Sequence, residues 1–196
     1  MKSQFLTNYT ETTFLEKIKD NLRHCSSFDF SVSFIKKAGL VLLFKDIEAA
    51  VERGAKGRLI TSTYQNFTDI ESLKSFYTLQ NRCENFSCHL DYECFRDNGY
   101  MTLGYHSKGY LFGFEDHKEL IVGSSNITRY ALLKNIEWDV VVSDSAEASV
   151  FDEAEKEFED KWAQTHLLNS EIINLYSNKL NFAIERWDMD YDLSTA

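Results

Sequence analysis

Proline is absent from this 196-residue chain, an absence to which no function attaches. Long apolar runs are missing too, which argues against a membrane-spanning helix, since one needs about 20 consecutive apolar residues. The opening residues Met1–Asn8 hold no apolar core of the kind a secretory signal requires. The expectation is a cytoplasmic protein with no membrane partner. Cysteine is scarce, with four residues (Cys25, Cys83, Cys88, Cys94) and no Cys-x-x-Cys pair. Three of them fall within twelve residues, a cluster open to a zinc site, but reduced cytosolic thiols are the plainer reading. Basic residues are also in deficit, and the formal net charge is −10. Phosphate neutralisation needs Lys and Arg, so general electrostatics does not make this a DNA-coating protein. The deficit is local, however. Residues 144–160 carry eight acids against one lysine, and 185–192 carry four more acids, so the remainder is nearly balanced.

What is present is the make-up of an ordinary globule, 43% apolar and 27% charged, with enough chain for one domain and a substantial core. Apolar positions Phe14, Leu15, Ile18 and Leu22 predict a helix over 11–24, with Thr10, Thr12 or Thr13 as its cap. Strict alternation at Phe28, Phe30, Val32 and Phe34 predicts a strand over 28–35. A helix over 38–53 ends at Gly54. Strands follow at 57–63 and 86–95, with a helix from Asp69 to Leu79 between them. Further on come a strand at 138–142 and an acidic helix over 147–163, whose buried stripe is Val150, Phe151, Ala154, Phe158 and Trp162. A last helix covers 169–185. Strands alternating with helices predict an α/β sandwich with a mixed, largely parallel central sheet flanked by helices.

The chemistry concentrates between Tyr105 and Glu137. His106 and Lys108 are two apart, which places both on one face of a strand. Tyr110, Leu111 and Phe112 continue that strand, Glu115–Lys118 form a turn, and Leu120, Ile121 and Val122 return. The return strand delivers Gly123, Ser124, Ser125 and Asn126 to the start of a short helix, where free amides make an anion site. A histidine, a cation and a polar cradle suit a phosphate.

These residues resemble the phospholipase D superfamily, whose signature is His-x-Lys-x4-Asp followed by Gly-Ser-x-Asn. His106 and Lys108 match the first motif, and Gly123, Ser124 and Asn126 match the second. The superfamily's Asp falls at Gly113, a departure that fits the nuclease-like branch better than the lipases. Glu137 matches the glutamate that commonly follows in that branch. The stretches 33–37, 52–61 and 66–69 look like the module found at the N-terminus of some bacterial superfamily 2 helicases and restriction-linked proteins. The resemblance implies a catalytic domain over 1–165, then a C-terminal helix and tail over 166–196 that leads toward a missing region. It also implies a metal-independent nuclease acting on DNA, with no cofactor. The His-x-Lys motif occurs once and the reaction needs two, so a homodimer with the site on its two-fold axis is implied. His106 is then nucleophile and acid, Lys108 and Asn126 hold the phosphate oxygens, Ser124 donates to an oxygen or steadies the histidine, and Glu137 orients the imidazole.

Other readings compete. A non-catalytic docking or dimerisation module of a helicase or restriction complex accounts for the missing Asp and the acidic charge. Phospholipid hydrolysis fits less well, with one motif and no amphipathic membrane-binding face. Tyr105, Tyr110, Trp138, Trp162 and Trp187 are expected to pack, and His117 and Arg129 to face solvent.

Overall fold

The structure, a computed structural model, describes residues 3–92, 104–145 and 148–181. In chain order the elements are β1 (Gln4–Leu6), α1 (Phe14–His24), β2 (Ser27–Val32), α2 (Lys37–Glu52), β3 (Lys56–Ser62), α3 (Ile70–Arg82), β4 (Phe86–Asp91), β5 (Lys108–Gly113), β6 (Lys118–Gly123), α4 (Arg129–Leu133), β7 (Asp139–Ser143), α5 (Ala148–Gln164) and β8 (His166–Leu167). A final helix, α6, is described over 170–181. The expected continuation of β4 to residue 95, Cys94, Trp187 and the tail beyond 181 lie outside the described residues.

The strands form one mixed sheet in the order β1-β7-β6-β5-β2-β3-β4-β8. The expected α/β sandwich is present, but its parallel part is narrower than a largely parallel sheet. Among the described residues only β2 with β3 and β3 with β4 run parallel, and the other strand pairings are antiparallel. The physical reason lies in the connections. The turn between β5 and β6 is too short to carry the chain back along a strand about 20 Å long, so those two strands pair antiparallel.

Local sequence explains the helix boundaries. Thr13 caps α1 and forms a capping box with Glu16, which selects one of the three candidate threonines. Gly54, just past α2, takes φ +105°, which is strained for a residue with a side chain. Asp69 precedes α3, yet its carboxylate turns to the Lys37 amide at 2.8 Å and so serves the start of α2.

The helices cover both faces unequally. On one face α1, α2, α3 and α6 enclose the main core, built on Phe28, Phe30, Val32, Leu59 and Tyr110 from the sheet with Phe14, Leu43, Phe76 and Tyr176 from the helices. On the other, among the described residues, α5 covers Ile60, Leu111 and Leu120 with Phe151 and Phe158, joined by Tyr105. Val150, expected in that stripe, is 42% exposed instead. The α5 contact is reinforced by Arg58, which bonds Asp29 at 2.7 and 2.8 Å and Glu159 at 2.7 Å, with its guanidinium over the rings of Phe158 and Trp162. Phe34 departs from the alternation expected of it. It lies beyond the end of β2 and its ring packs edge-on against Phe67 at 5.2 Å.

Candidate active site

The motif residues meet where β5 begins, β6 ends and the chain leaves β2 and β3. His106 sits just ahead of β5 and Lys108 opens it, while Gly123 closes β6. Extended geometry at 106–108 brings both side chains to one side, as the two-residue spacing predicts. The Lys108 ammonium lies 3.0 Å from His106 Nδ1 and donates to the His106 carbonyl at 2.7 Å. Lys108 is 8% exposed, and burial pulls its pKa down to about 8, with Glu137 acting in the opposite direction. Partial burial, then the charge of Lys108, lowers the pKa of His106. The imidazole is therefore neutral near pH 7 while the lysine is mostly charged.

The second motif is a turn held from below. Ser125 is fully buried; its hydroxyl donates to Asp139 at 2.6 Å and its amide to the same carboxylate at 3.3 Å. The Tyr110 hydroxyl donates to the Ser125 carbonyl at 2.8 Å. A Cβ on Gly123 would stand 2.2 Å from the Trp138 carbonyl oxygen, so β6 and β7 approach too closely for any larger residue. The buried pair Ser125–Asp139 thus leaves Ser124 exposed, while Asn126 stays 7% exposed beside it. Asn126 Oδ1 accepts weakly from the Phe34 amide at 3.4 Å, tying the turn to the end of β2.

Two expectations change here. The Gly123–Asn126 turn stops short of the helix start, which Thr128 caps, accepting from the Ala131 amide at 3.1 Å. At five residues α4 carries little dipole, so the cradle consists of side chains rather than a helix terminus. Glu137 was expected on the imidazole. Its carboxylate instead accepts from the Ser124 hydroxyl and from Asn135 Nδ2 at 3.0 Å, and Lys108 stands at His106 Nδ1. All five candidates, His106, Lys108, Ser124, Asn126 and Glu137, nonetheless belong to one locality. Trp138, expected to be buried, is 66% exposed.

The position of the superfamily's Asp is also explained. Gly113 closes the far end of β5, about 17 Å along the strand from Lys108. A side chain there cannot touch the His106 locality. A Cβ at Gly113 would stand 2.4 Å from Ser27 Oγ.

Two cavities share His106 and Lys108. One, about 580 Å³, runs between the sheet and α5 and is lined by Leu111, Leu120, Val122 and Phe158. The other, about 550 Å³, joins Lys108, Ser124 and Asn126 to Phe34, Tyr64 and Phe67. Sequence reasoning passed over Tyr64, whose ring lies 5.0 Å from that of His106. It also passed over Asp139, which reads as an ordinary strand residue. Among the described residues no three His, Cys, Asp or Glu side chains gather as a metal site.

A family model described as "Cardiolipin synthase, PLD-like domain" matches residues 18–162, well over half of the chain, and the chain belongs to this phospholipase D-like family. Its fold is similar to that of Nuc from Salmonella typhimurium, a phospholipase D family member (TM-score 0.63, 17% identity, covering 86% of this chain and 99% of that one). It is also similar to NucT from Helicobacter pylori (0.62, 15%, 84% and 97%). Phosphatidylserine synthase from Haemophilus influenzae matches as well (0.60, 15%, 96% of this chain and 46% of that one). No curated protein sequence matches the chain significantly.

Proposed function

We propose that this chain is a metal-independent phosphodiesterase, a nuclease acting on DNA, that works as a homodimer through His106. The observation that carries the reading is the contact between a neutral imidazole and a desolvated Lys108 at the mouth of a cavity bearing Ser124 and Asn126.

The contact has a chemical consequence. A charged lysine can only donate, so Nδ1 accepts and the imidazole proton sits on Nε2. Attack through Nε2 requires the other tautomer. An arriving phosphate draws Lys108 onto its non-bridging oxygens and frees Nδ1 to carry the proton. His106 Nε2 of one copy then forms the N–P bond as the P–O bond to the leaving group breaks. His106 of the second copy, held as imidazolium by the anionic phosphate beside it, gives that oxygen its proton. It next takes one from water as water attacks phosphorus and the N–P bond opens. Glu137, held at Ser124, is the carboxylate for the imidazole of the second copy. The lysines and imidazoles supply the charge neutralisation and proton transfer for which other phosphodiesterases use a metal.

An apolar stripe beside the site supports the dimer. Phe5, Val140 and Val122 are register neighbours across β1, β7 and β6, and are 48%, 37% and 45% exposed. Trp138 packs on Phe5 with ring centres 5.7 Å apart. The stripe ends at Gly123, where a second copy would bring its His106 to the same phosphate. The extents of the catalytic domain (1–165) and of the C-terminal part (166–196), together with a helicase or restriction setting, rest on the sequence resemblance alone.

The test is nicking of supercoiled plasmid in EDTA by the wild type and by His106→Ala, with dimerisation followed by sedimentation. Nicking lost with His106 supports the mechanism. A dimer that hydrolyses no phosphodiester refutes it and favours the docking-module reading.

A further inference from the structure

We infer that the aromatic wall facing the phosphate cradle is a subsite for one unpaired nucleobase, so that the substrate is single-stranded. This deepens the nuclease reading and rests on it. The cavity of about 550 Å³ has two unlike walls. One is polar: Lys108, Ser124 and Asn126. The other carries the rings of Phe34, Tyr64 and Phe67, with Phe67 40% exposed. Phe34 and Phe67 meet edge-on at 70°, so the two rings do not stack on each other, and both line the cavity. A phosphodiester on the first wall therefore has flat apolar surface within one nucleotide's reach.

The aromatic wall is held in place. The backbone after β3 turns through two consecutive non-glycine residues of positive φ, Gln65 (47°) and Asn66 (59°). Such a conformation persists only where its surroundings enforce it. Here they do: Thr68 donates to the Ser62 carbonyl at 2.6 Å, Ser62 to the Ser33 carbonyl at 2.7 Å, and Tyr176 to the Thr68 carbonyl at 3.0 Å. The turn lifts Tyr64 beside His106 and leaves the Gln65 amide exposed at the rim, where it can bond a base edge.

Charge points the same way. At −10 the chain gains little from general attraction to a phosphate backbone. Stacking compensates, since each base on an aromatic platform contributes roughly 5- to 150-fold in affinity whatever its identity. A base inside a duplex is already stacked and cannot enter. The same charge disfavours an anionic membrane surface.

The test uses the full-length His106→Ala protein, so that nothing is cleaved, and fluorescence anisotropy with three probes: a ten-residue oligothymidylate, an abasic strand of equal length, and a duplex. Wild-type hydrolysis of bis(p-nitrophenyl) phosphate, which needs no base, reports the phosphodiesterase reading separately. The expected result is at least about five-fold tighter binding of the oligothymidylate than of either other probe, with the difference erased by Tyr64→Ala or Phe67→Ala. Equal affinity for the thymidylate and abasic strands overturns the proposal even if the small diester is hydrolysed. So does absence of oligonucleotide binding, or binding of phosphatidylglycerol vesicles in its place. Should a loop variant fail to fold, the thymidylate–abasic comparison decides alone.

Discussion

Replacing Asp139 with alanine tests whether the cradle is built by the buried pair beneath it. Asp139 is 1% exposed and Ser125 is fully buried. The substitution removes the acceptor of the Ser125 hydroxyl and of its amide. A buried donor left without a partner costs roughly 1–3 kcal/mol, so two cost about 2–6 kcal/mol. Part of that is returned, because burial already disfavours the carboxylate and holds its pKa above the usual aspartate value. A net loss of about 2–4 kcal/mol follows. Asp139→Asn keeps the shape and one acceptor, and the Ser125 hydroxyl can turn to accept from the new amide, so its loss stays under about 1 kcal/mol. The raised pKa fixes a sign as well. The folded chain keeps this proton to higher pH than the unfolded chain. The group's contribution is therefore greatest below the ordinary aspartate range and falls as pH rises through the raised value. Asp139→Asn should flatten that part of the stability–pH curve. Urea unfolding measures both, with the midpoint shifting at constant slope. An unchanged midpoint for Asp139→Ala would refute the claim that this carboxylate holds the turn.

Other perturbations reach different parts of the molecule. Because burial brings the pKa of Lys108 down to about 8, kcat/KM for a phosphodiester should fall as pH rises past that value. In Lys108→Arg, any remaining activity should persist to higher pH, as a pH–rate profile would show. Gly113→Asp should recreate the superfamily signature yet lower the melting temperature without raising plasmid nicking, because its Cβ meets Ser27 and its carboxylate lies a strand's length from His106. Arg58→Ala should cost about 2–4 kcal/mol in urea unfolding, since it strands the half-buried Asp29 carboxylate and removes the cation from the Phe158 and Trp162 rings. Hydrogen exchange should then quicken first in α5.

The chemistry-bearing residues were legible in the sequence because they are local. His106 and Lys108 need only extended backbone to share a side, and the Gly123–Asn126 turn needs only a strand end. Most helices and strands were legible for the same reason, since periods of 3.6 and 2 are properties of neighbouring residues. Periodicity assigns a face but names no neighbour. It could not show that β2 lies between β3 and β5, nor that β1 and β8 close the two edges of the sheet. It placed Phe34 and Trp138 with the core, although Phe34 lines the cavity and Trp138 is exposed. Asp139 looked like any strand acid until β6 and β7 were packed at a distance only Gly123 permits. The run from Tyr64 to Phe67 looked like an ordinary loop, since nothing in it announces two consecutive residues of positive φ. Residue identity and spacing select the groups that can handle a phosphate. What surrounds that phosphate is set on folding, because cavity walls, burial and shifted proton affinities arise from contacts between residues far apart in the chain.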